Sequence, residues 1–292
     1  MSFEDVMTAV TRWMTATEAL AAVGAELTLA QSGEPSDPEV SAALQAVSLT
    51  AGLPDLAQLP PPQRELVAGL VRMCLRQAQE LVDDPGRAPG WTFTDPDILG
   101  GWGRGSMMVP AALAARVPEL DGTTSFLDIG TGVGLLAIAA ARTWPGATIT
   151  GLDTWDPALT IAAGNIKNAG LGDRITLRHQ DVATLDDRDI YDCVWFPTFF
   201  IAEAVLDAAV PRLVRSLRPG GTLVLGRMAP PPDPLAQAVG TLRTIRGGGA
   251  DYEPERLASA LAAEGCVSIR TLPRSGPAPL EYVIGQRAGS AA

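Results

Sequence analysis

An α/β fold with a mostly parallel sheet covered on both faces is what this sequence predicts, and three observations carry the prediction. From residue 124 onward, short apolar runs of strand character trade places with segments of helical period. Such alternation implies right-handed βαβ crossovers and parallel neighbours. The first run, FLDIGTGVGLLAIAAA (126–141), sets an apolar strand against Gly130, Gly132 and Gly134, at the kind of strand-to-helix bend where α/β sheets hold ligands. The last two runs, CVSIRTL and LEYVIGQR, are separated only by PRSGPAP. That link is too short for a crossover, so the final pair is expected to be antiparallel.

The elements follow in order. From Phe3 to about Leu27, Val6, Val10, Trp13 and Met14 recur at three- and four-residue intervals, with Leu20 and Ala21 two turns on, the period of an amphipathic helix. Gly33 to Asp37 is a turn, Pro38 to Ser48 a second helix, and Pro60, Pro61 and Pro62 precede a third that runs to about Val82. Residues 1–85 are thus a helical cap or dimerisation region. Residues 86–120 read as an aromatic, glycine-rich connector and a leading helix; the stretch from Asp83 to Gly105 holds Trp91, Phe93 and Trp102 among its glycines and prolines. A merely flexible linker has little use for two tryptophans, so this one either folds over something apolar or pads a domain junction. Residues 121–287 hold the sheet. TSFLDI, ATITGLD, RITLRHQD, YDCVWF and GTLVLG are its strands, with VGLLAIAAARTW, PALTIAAGNIKNAG, EAVLDAAVPRLVRSL and residues 254–264 as helices. Residues 288–292 are a tail.

Composition narrows the function. A formal charge of −11 opposes binding to phosphate backbones and anionic lipid. No apolar run reaches the roughly 18 residues of a membrane span, and MSFEDVMTAV has no basic flank of a secretory signal. Cys74, Cys193 and Cys266 are odd in number and form no CxxC pair, which argues against a disulfide framework and fits a reducing cytoplasm.

Glycine at the bend allows positive φ and lets a ligand approach the backbone without a Cβ in the way. A dinucleotide site would read GxGxxG; here the spacing is GxGxG, preceded by Asp128. Asp153 closes the next strand, Asp181 follows the third, YDCVWF carries an acid before the fourth, and LRPGGTLVL leads into the fifth. In that order these five features resemble the class I methyltransferases, whose cofactor is S-adenosyl-L-methionine (SAM). The resemblance spans residues 124–227 and implies a Rossmann-like, seven-stranded sheet of order 3-2-1-4-5-7-6. It further implies that Gly130, Gly132 and Gly134 lie against the methionine end of the cofactor and that Asp128 helps to hold its ammonium. Asp153 would grip the ribose, with Thr154 or Trp155 covering one adenine face. Asp181 would accept the adenine amino group and the Val182 N–H would meet a ring nitrogen. Phe196 would border the cofactor, and Arg104 could reach its carboxylate.

The acceptor is indicated less directly. His179 is the only histidine and sits two residues before Asp181 on the same strand, a poor place for a general base. Phenol-directed relatives use a late histidine, which is missing here. Catechol-type relatives hold magnesium at the end of the fourth strand, where this chain has Phe196 and Pro197, so no metal is expected. Trp91, Trp102, Phe196, Phe199 and Phe200, with Phe93 and Trp195 beside them, suggest a flat apolar pocket for a small aromatic or cyclic molecule. Residues 243–254 read as a glycine-rich lid carrying Tyr252, the best polar candidate for proton transfer on it, with Asp251 or water as alternatives. A base-poor site favours C-methylation of an electron-rich ring carbon such as an indole C3, with O- or N-methylation and a non-catalytic SAM-binding subunit as alternatives. A homodimer through the N-terminal helices is expected.

Overall fold

The computed structural model describes residues 2–33, 35–275 and 279–289. The chain divides into two units, Met1–Pro85 with Asp95–Gly105, and Gly86–Thr94 with Ser106–Ala292. The expected connector is therefore shared: residues 86–94 go with the sheet, and 95–105 go with the helices. Of the predicted tail, residues 290–292 lie outside the described residues, as does part of the PRSGPAP link.

The helical unit contains α1 (Phe3–Ser32), α2 (Pro38–Thr50), α3 (Pro61–Asp83) and α4 (Pro96–Ser106). Ser2 and Asp5 form a reciprocal capping box at the start of α1, which ends on Gly33 at φ 64°. Asp37 caps α2 with Pro38 at its first position. Val23, Leu27, Leu56, Ala68 and Val71 make the core of this unit. The sequence reads 96–105 as loop, but it is helix. Its glycines serve packing: a Cβ at Gly101 would lie 2.7 Å from Met73 Cβ on α3, and Arg104 folds over Gly100 and over Gly69 of α3. Tertiary fit here overrides low helix propensity.

The sheet unit opens with α5 (Val109–Ala114) and then runs β1 (Ser125–Ile129), α6 (Leu135–Thr143), β2 (Thr148–Asp153), α7 (Asp156–Asn168), β3 (Ile175–His179), β4 (Tyr191–Pro197), α8 (Glu203–Ser216), β5 (Leu217–Met228), α9 (Pro234–Arg246), α10 (Pro254–Ala263), β6 (Val267–Leu272) and β7 (Leu280–Gln286). Its seven strands follow the order β3-β2-β1-β4-β5-β7-β6. β1 to β5 pair in parallel and β7 is antiparallel to both β5 and β6, as the short final link requires. Alternate residues of the strands enter opposite cores. Phe126, Ile149, Cys193 and Trp195 pack toward α5 and α6, while Leu127, Leu152, Val194 and Phe196 pack toward α8 and α10. Burial on both faces fixes the register and delivers all five parallel strands to one edge with their carboxyl ends aligned.

Candidate active site

The carboxyl edge carries most of the predicted residues. Gly130, Gly132 and Gly134 have φ of 66°, 54° and 76°, a region where any other residue is strained. Their roles differ. A Cβ at Gly132 would meet nothing nearer than the Gly130 carbonyl oxygen at 3.9 Å, whereas one at Gly134 would sit 3.1 Å from Ala162 Cβ on α7. Gly132 leaves room for a ligand. At Gly134 the missing side chain lets α6 approach α7.

Asp128 is 1% exposed. Its Oδ2 accepts a 2.8 Å bond from the Thr131 hydroxyl, while Oδ1 is buried with no hydrogen-bond partner among the described residues. Burial pushes this carboxyl up to about 7, against the Thr131 hydrogen bond. Thr131 has its place because Gly151 lacks a side chain; a Cβ there would fall 2.7 Å from the Thr131 hydroxyl. A carboxylate oxygen so placed needs a donor, and a positively charged one best of all.

Asp153 closes β2. Its Oδ2 accepts from the Gly132 N–H at 2.8 Å and Oδ1 from the Trp155 N–H at 2.9 Å. Burial raises its pKa, opposed by those backbone donors. Each oxygen keeps a second lone pair, enough for two hydroxyl donors. One strand over, His179 has Nε2 3.0 Å from the Thr154 carbonyl and Nδ1 3.1 Å from Asp156 Oδ1. Both ring nitrogens are engaged. Asp181 is exposed and accepts from the Ala183 N–H at 2.8 Å, capping the short turn Val182–Thr184, and Val182 is buried.

The aromatic residues separate into two groups. Phe196 and Trp195 are 0% and 3% exposed, so the expectation that Phe196 lines the site is corrected. Its ring belongs to the core beneath α8, and Trp195 packs edge-on to Tyr282 at 5.9 Å. Phe199 and Phe200, just past β4, are half-buried with centroids 4.4 Å apart. Trp91 meets Phe200 edge-on at 5.0 Å and Phe93 at 5.3 Å, and Arg87 lies 5.4 Å from the Phe93 ring centre. The segment 86–94 is thus a strap laid on the sheet unit. Trp155 Nε1 donates to the Phe93 carbonyl at 2.7 Å and Gly90 N–H to the Arg246 carbonyl at 3.0 Å. Trp102 and Arg104 are on α4 in the helical unit, and Arg104 Nε is buried there with no partner among the described residues.

The predicted lid is also corrected. Residues 243–246 finish α9, and the glycines that follow are there for close contact. A Cβ at Gly248 would sit 3.0 Å from Gly90 Cα, and one at Gly249 would collide with the Phe199 carbonyl. Tyr252 is 5% exposed, and its hydroxyl donates to the Ile201 carbonyl at 2.8 Å. Burial pushes this phenol up to about 12. It anchors the segment rather than presenting a base. The buried Arg227 holds the same segment, donating to the Tyr252 carbonyl at 2.7 Å and to Glu281 at 2.6 Å. Sequence reading passed over Arg227 and Thr131. Thr131, inside the glycine bend beside an acid, was the more accessible of the two.

Residues 126–221 match a family model described as a methyltransferase domain. This stretch of the protein is thus a methyltransferase domain. Among curated relatives of this domain, a release factor glutamine methyltransferase of Rhodopirellula baltica is 36% identical over 101 residues, covering 34% of each chain. This protein spans a third to about half of the length of the first such relatives. Solved structures resemble it over nearly the whole chain. The mitomycin 7-O-methyltransferase MmcR is 19% identical with a TM-score of 0.64, covering 98% of both chains. Human N-acetylserotonin methyltransferase in complex with SAM is 13% identical with a TM-score of 0.66, covering 99% of this chain and 100% of that one. At these identities the likeness is one of fold. The strand order of the methyltransferase domain is the one its motifs implied. Among the described residues no helix is long and apolar enough to cross a membrane, and no group of three or more His, Cys, Asp or Glu is placed to hold a metal ion.

Proposed function

We propose that this protein transfers the methyl group of SAM to a small aromatic molecule, at an ionisable ring hydroxyl. The observation that carries the cofactor half is the buried Asp128 Oδ1 without a partner, beside a bend that Gly132 leaves open. An α-ammonium supplies the cationic donor this oxygen lacks, and the free lone pairs of Asp153 suit the two ribose hydroxyls. Asp181 and Val182 would meet the adenine. The sulfonium supplies an already activated methyl, so the protein's work is alignment, with water kept out.

For the acceptor half, Trp91, Phe93, Phe199 and Phe200 offer a partly exposed aromatic wall suited to a planar ring. The Tyr252 hydroxyl is committed to the Ile201 carbonyl, and His179 on the third strand has Nε2 against the Thr154 carbonyl. That favours an acceptor acidic enough to ionise in water, and resemblance in fold to an O-methyltransferase agrees with oxygen as the target. The same arrangement supports a second reading, attack by an electron-rich ring carbon such as an indole C3. Incubation with SAM and parallel panels of acidic phenols and indoles, followed by mass and proton spectra, separates them. Methyl on oxygen supports the first reading and methyl on carbon the second. SAM binding without S-adenosylhomocysteine release from any acceptor would leave a non-catalytic binding subunit.

A homodimer through the N-terminal helices belongs to this proposal, as does a role in cytoplasmic secondary metabolism. Phe3, Val6, Met7, Trp13 and Met14 on α1 are 80%, 43%, 45%, 50% and 56% exposed, an apolar stripe of the kind that marks a protein interaction surface. Light scattering tests it: a monomer mass at micromolar concentration removes the dimer.

A further inference from the structure

At the carboxyl end of β5 the protein buries a charge that the cofactor site does not use. Arg227 is 4% exposed, and desolvating a guanidinium is costly unless its partners are well placed. Its Nη1 donates to Glu281 on β7 at 2.6 Å, Nη2 lies 3.7 Å from Asp251, and Nε donates to the Tyr252 carbonyl at 2.7 Å. Tyr252 sits in the core beneath α8, and its hydroxyl donates to the Ile201 carbonyl at 2.8 Å. Ile201 ends the turn that carries Phe199 and Phe200. At the other end of that turn Thr198 is fully buried, and its hydroxyl donates to the Gly226 carbonyl at 2.9 Å. Gly226 and Arg227 are consecutive, so both ends of the turn are tied to one point on β5, directly at Thr198 and through Tyr252 at Ile201. Between the ends, Gly249 lies so close to the Phe199 carbonyl that a Cβ would collide with it. A turn held in this way presents its two rings in one position.

Resting on the acceptor wall proposed above, we infer that Arg227 and Tyr252 are positioning residues that set the place of Phe199 and Phe200, and with it the affinity for the acceptor. Both are buried, so neither meets the acceptor itself. Arg227 fixes the Tyr252 backbone, Tyr252 fixes Ile201, and the turn holds the rings where a planar molecule can lie against them. A small displacement of the rings loosens that contact and misaligns the acceptor atom with the methyl group. The cofactor side stands apart. Asp128 bonds Thr131, and Asp153 bonds the Gly132 and Trp155 N–H groups, around the ends of β1 and β2 rather than β5.

Two variants of the full chain test this. Tyr252→Phe deletes the link to Ile201 and keeps the ring, while Arg227→Lys keeps a charge for Glu281 and loses the forked reach to the Tyr252 carbonyl. With six phenylalanines in the chain, labelling with para-fluorophenylalanine gives a readable fluorine NMR spectrum, assigned through Phe199→Leu and Phe200→Leu. The Phe199 and Phe200 signals should shift in both variants while that of Phe126 holds. For the acceptor methylated fastest in the two panels, KM should rise about fivefold or more, with S-adenosylhomocysteine affinity kept within about twofold. Asp192→Ala, at the opposite edge of the sheet, should leave signals and KM unchanged, which separates positioning from a general loss of stability. Unmoved Phe199 and Phe200 signals overturn the clamp, whether or not an acceptor is found. Moved signals with an unchanged KM, or with a parallel fall in S-adenosylhomocysteine affinity, overturn the step from clamp to acceptor. If no phenol or indole takes a methyl group, the proposed function fails and the role in acceptor binding fails with it, whereas the signals still decide what holds the turn.

Discussion

The two edges of the parallel sheet use the same residue type in opposite ways. At the amino edge, Asp192 Oδ2 accepts from the Thr124 N–H at 2.8 Å, the Thr124 hydroxyl at 2.7 Å and the Ser125 N–H at 3.0 Å, while Oδ1 accepts from Arg218 at 2.9 Å. Burial opposes its ionisation, but these donors, led by Thr124, outweigh it and hold its pKa below the usual value. At the carboxyl edge, Asp128 Oδ2 accepts from Thr131 while the buried Oδ1 has no hydrogen-bond partner among the described residues, and burial wins. A saturated carboxylate ties strands together, whereas an undersupplied one is waiting for a ligand. The acid before the fourth strand and the Arg218 of LRPGG, both part of the resemblance that identified the domain, thus serve the fold and stand apart from the chemistry.

The largest effect expected is on cofactor affinity at the carboxyl edge. Asp153→Ala removes acceptors for two hydroxyls, at about 1.5 kcal/mol or more each, so SAM binding should weaken roughly a hundredfold in calorimetry. Unchanged affinity would remove Asp153 from the cofactor site. Its counterpart is Asp192→Ala. Loss of four hydrogen bonds at a partly exposed site should lower stability by about 2 kcal/mol in urea unfolding, while S-adenosylhomocysteine affinity holds. A parallel fall in affinity would erase the distinction between the edges.

Between these edges, what the sequence made legible was what is local. Glycines at positive φ, an acid at a strand end and the alternation of periods each leave a signature within a few residues, so the glycine bend, Asp128, Asp153 and the order of elements were readable. What depends on distant partners was hidden. Gly100 and Gly101 look like loop residues until Arg104 and Met73 occupy the space they leave. Tyr252 looks like a free phenol until the carbonyl of Ile201, far along the chain, accepts its hydrogen bond. Phe196 and Phe199 are three residues apart, yet strand pleat buries one and the turn after β4 leaves the other half open. α9 was missed although Leu235, Val239, Leu242 and Ile245 keep helical spacing, because the prolines before it and the glycines after it read as punctuation.

Two glycines of the bend sharpen the contrast further. Gly134→Ala places a methyl at φ 76° and 3.1 Å from Ala162, so it should cost about 2 kcal/mol of stability. Gly132→Ala meets open space; its stability cost should be nearer 1 kcal/mol, and its methyl should intrude on the ligand. The ratio of affinity loss to stability loss should be larger for Gly132. The reverse order in paired calorimetry and unfolding experiments would move the ligand to the α7 side of the bend.

The smallest effect is the most specific to Asp128. Burial pushes its carboxyl up to about 7 in the folded chain from an ordinary 3.8, so between those values the folded protein holds a proton there that the unfolded chain releases. The sign follows: this residue costs nothing below pH 4, and its penalty to the ligand-free protein grows as pH rises and is complete above about 7. An ammonium binds the ionised form, so below pH 7 binding must expel a proton. With the ionised fraction rising from about a tenth at pH 6 to about nine tenths at pH 8, S-adenosylhomocysteine affinity should rise roughly tenfold over that range. Asp128→Asn should flatten that slope and, by removing a buried charge, stabilise the ligand-free protein at pH 8 while binding the ligand more weakly. A slope that survives in Asp128→Asn would place the titrating group elsewhere, and Asp153, raised by burial in the same way, would then be the carboxylate that meets the cation.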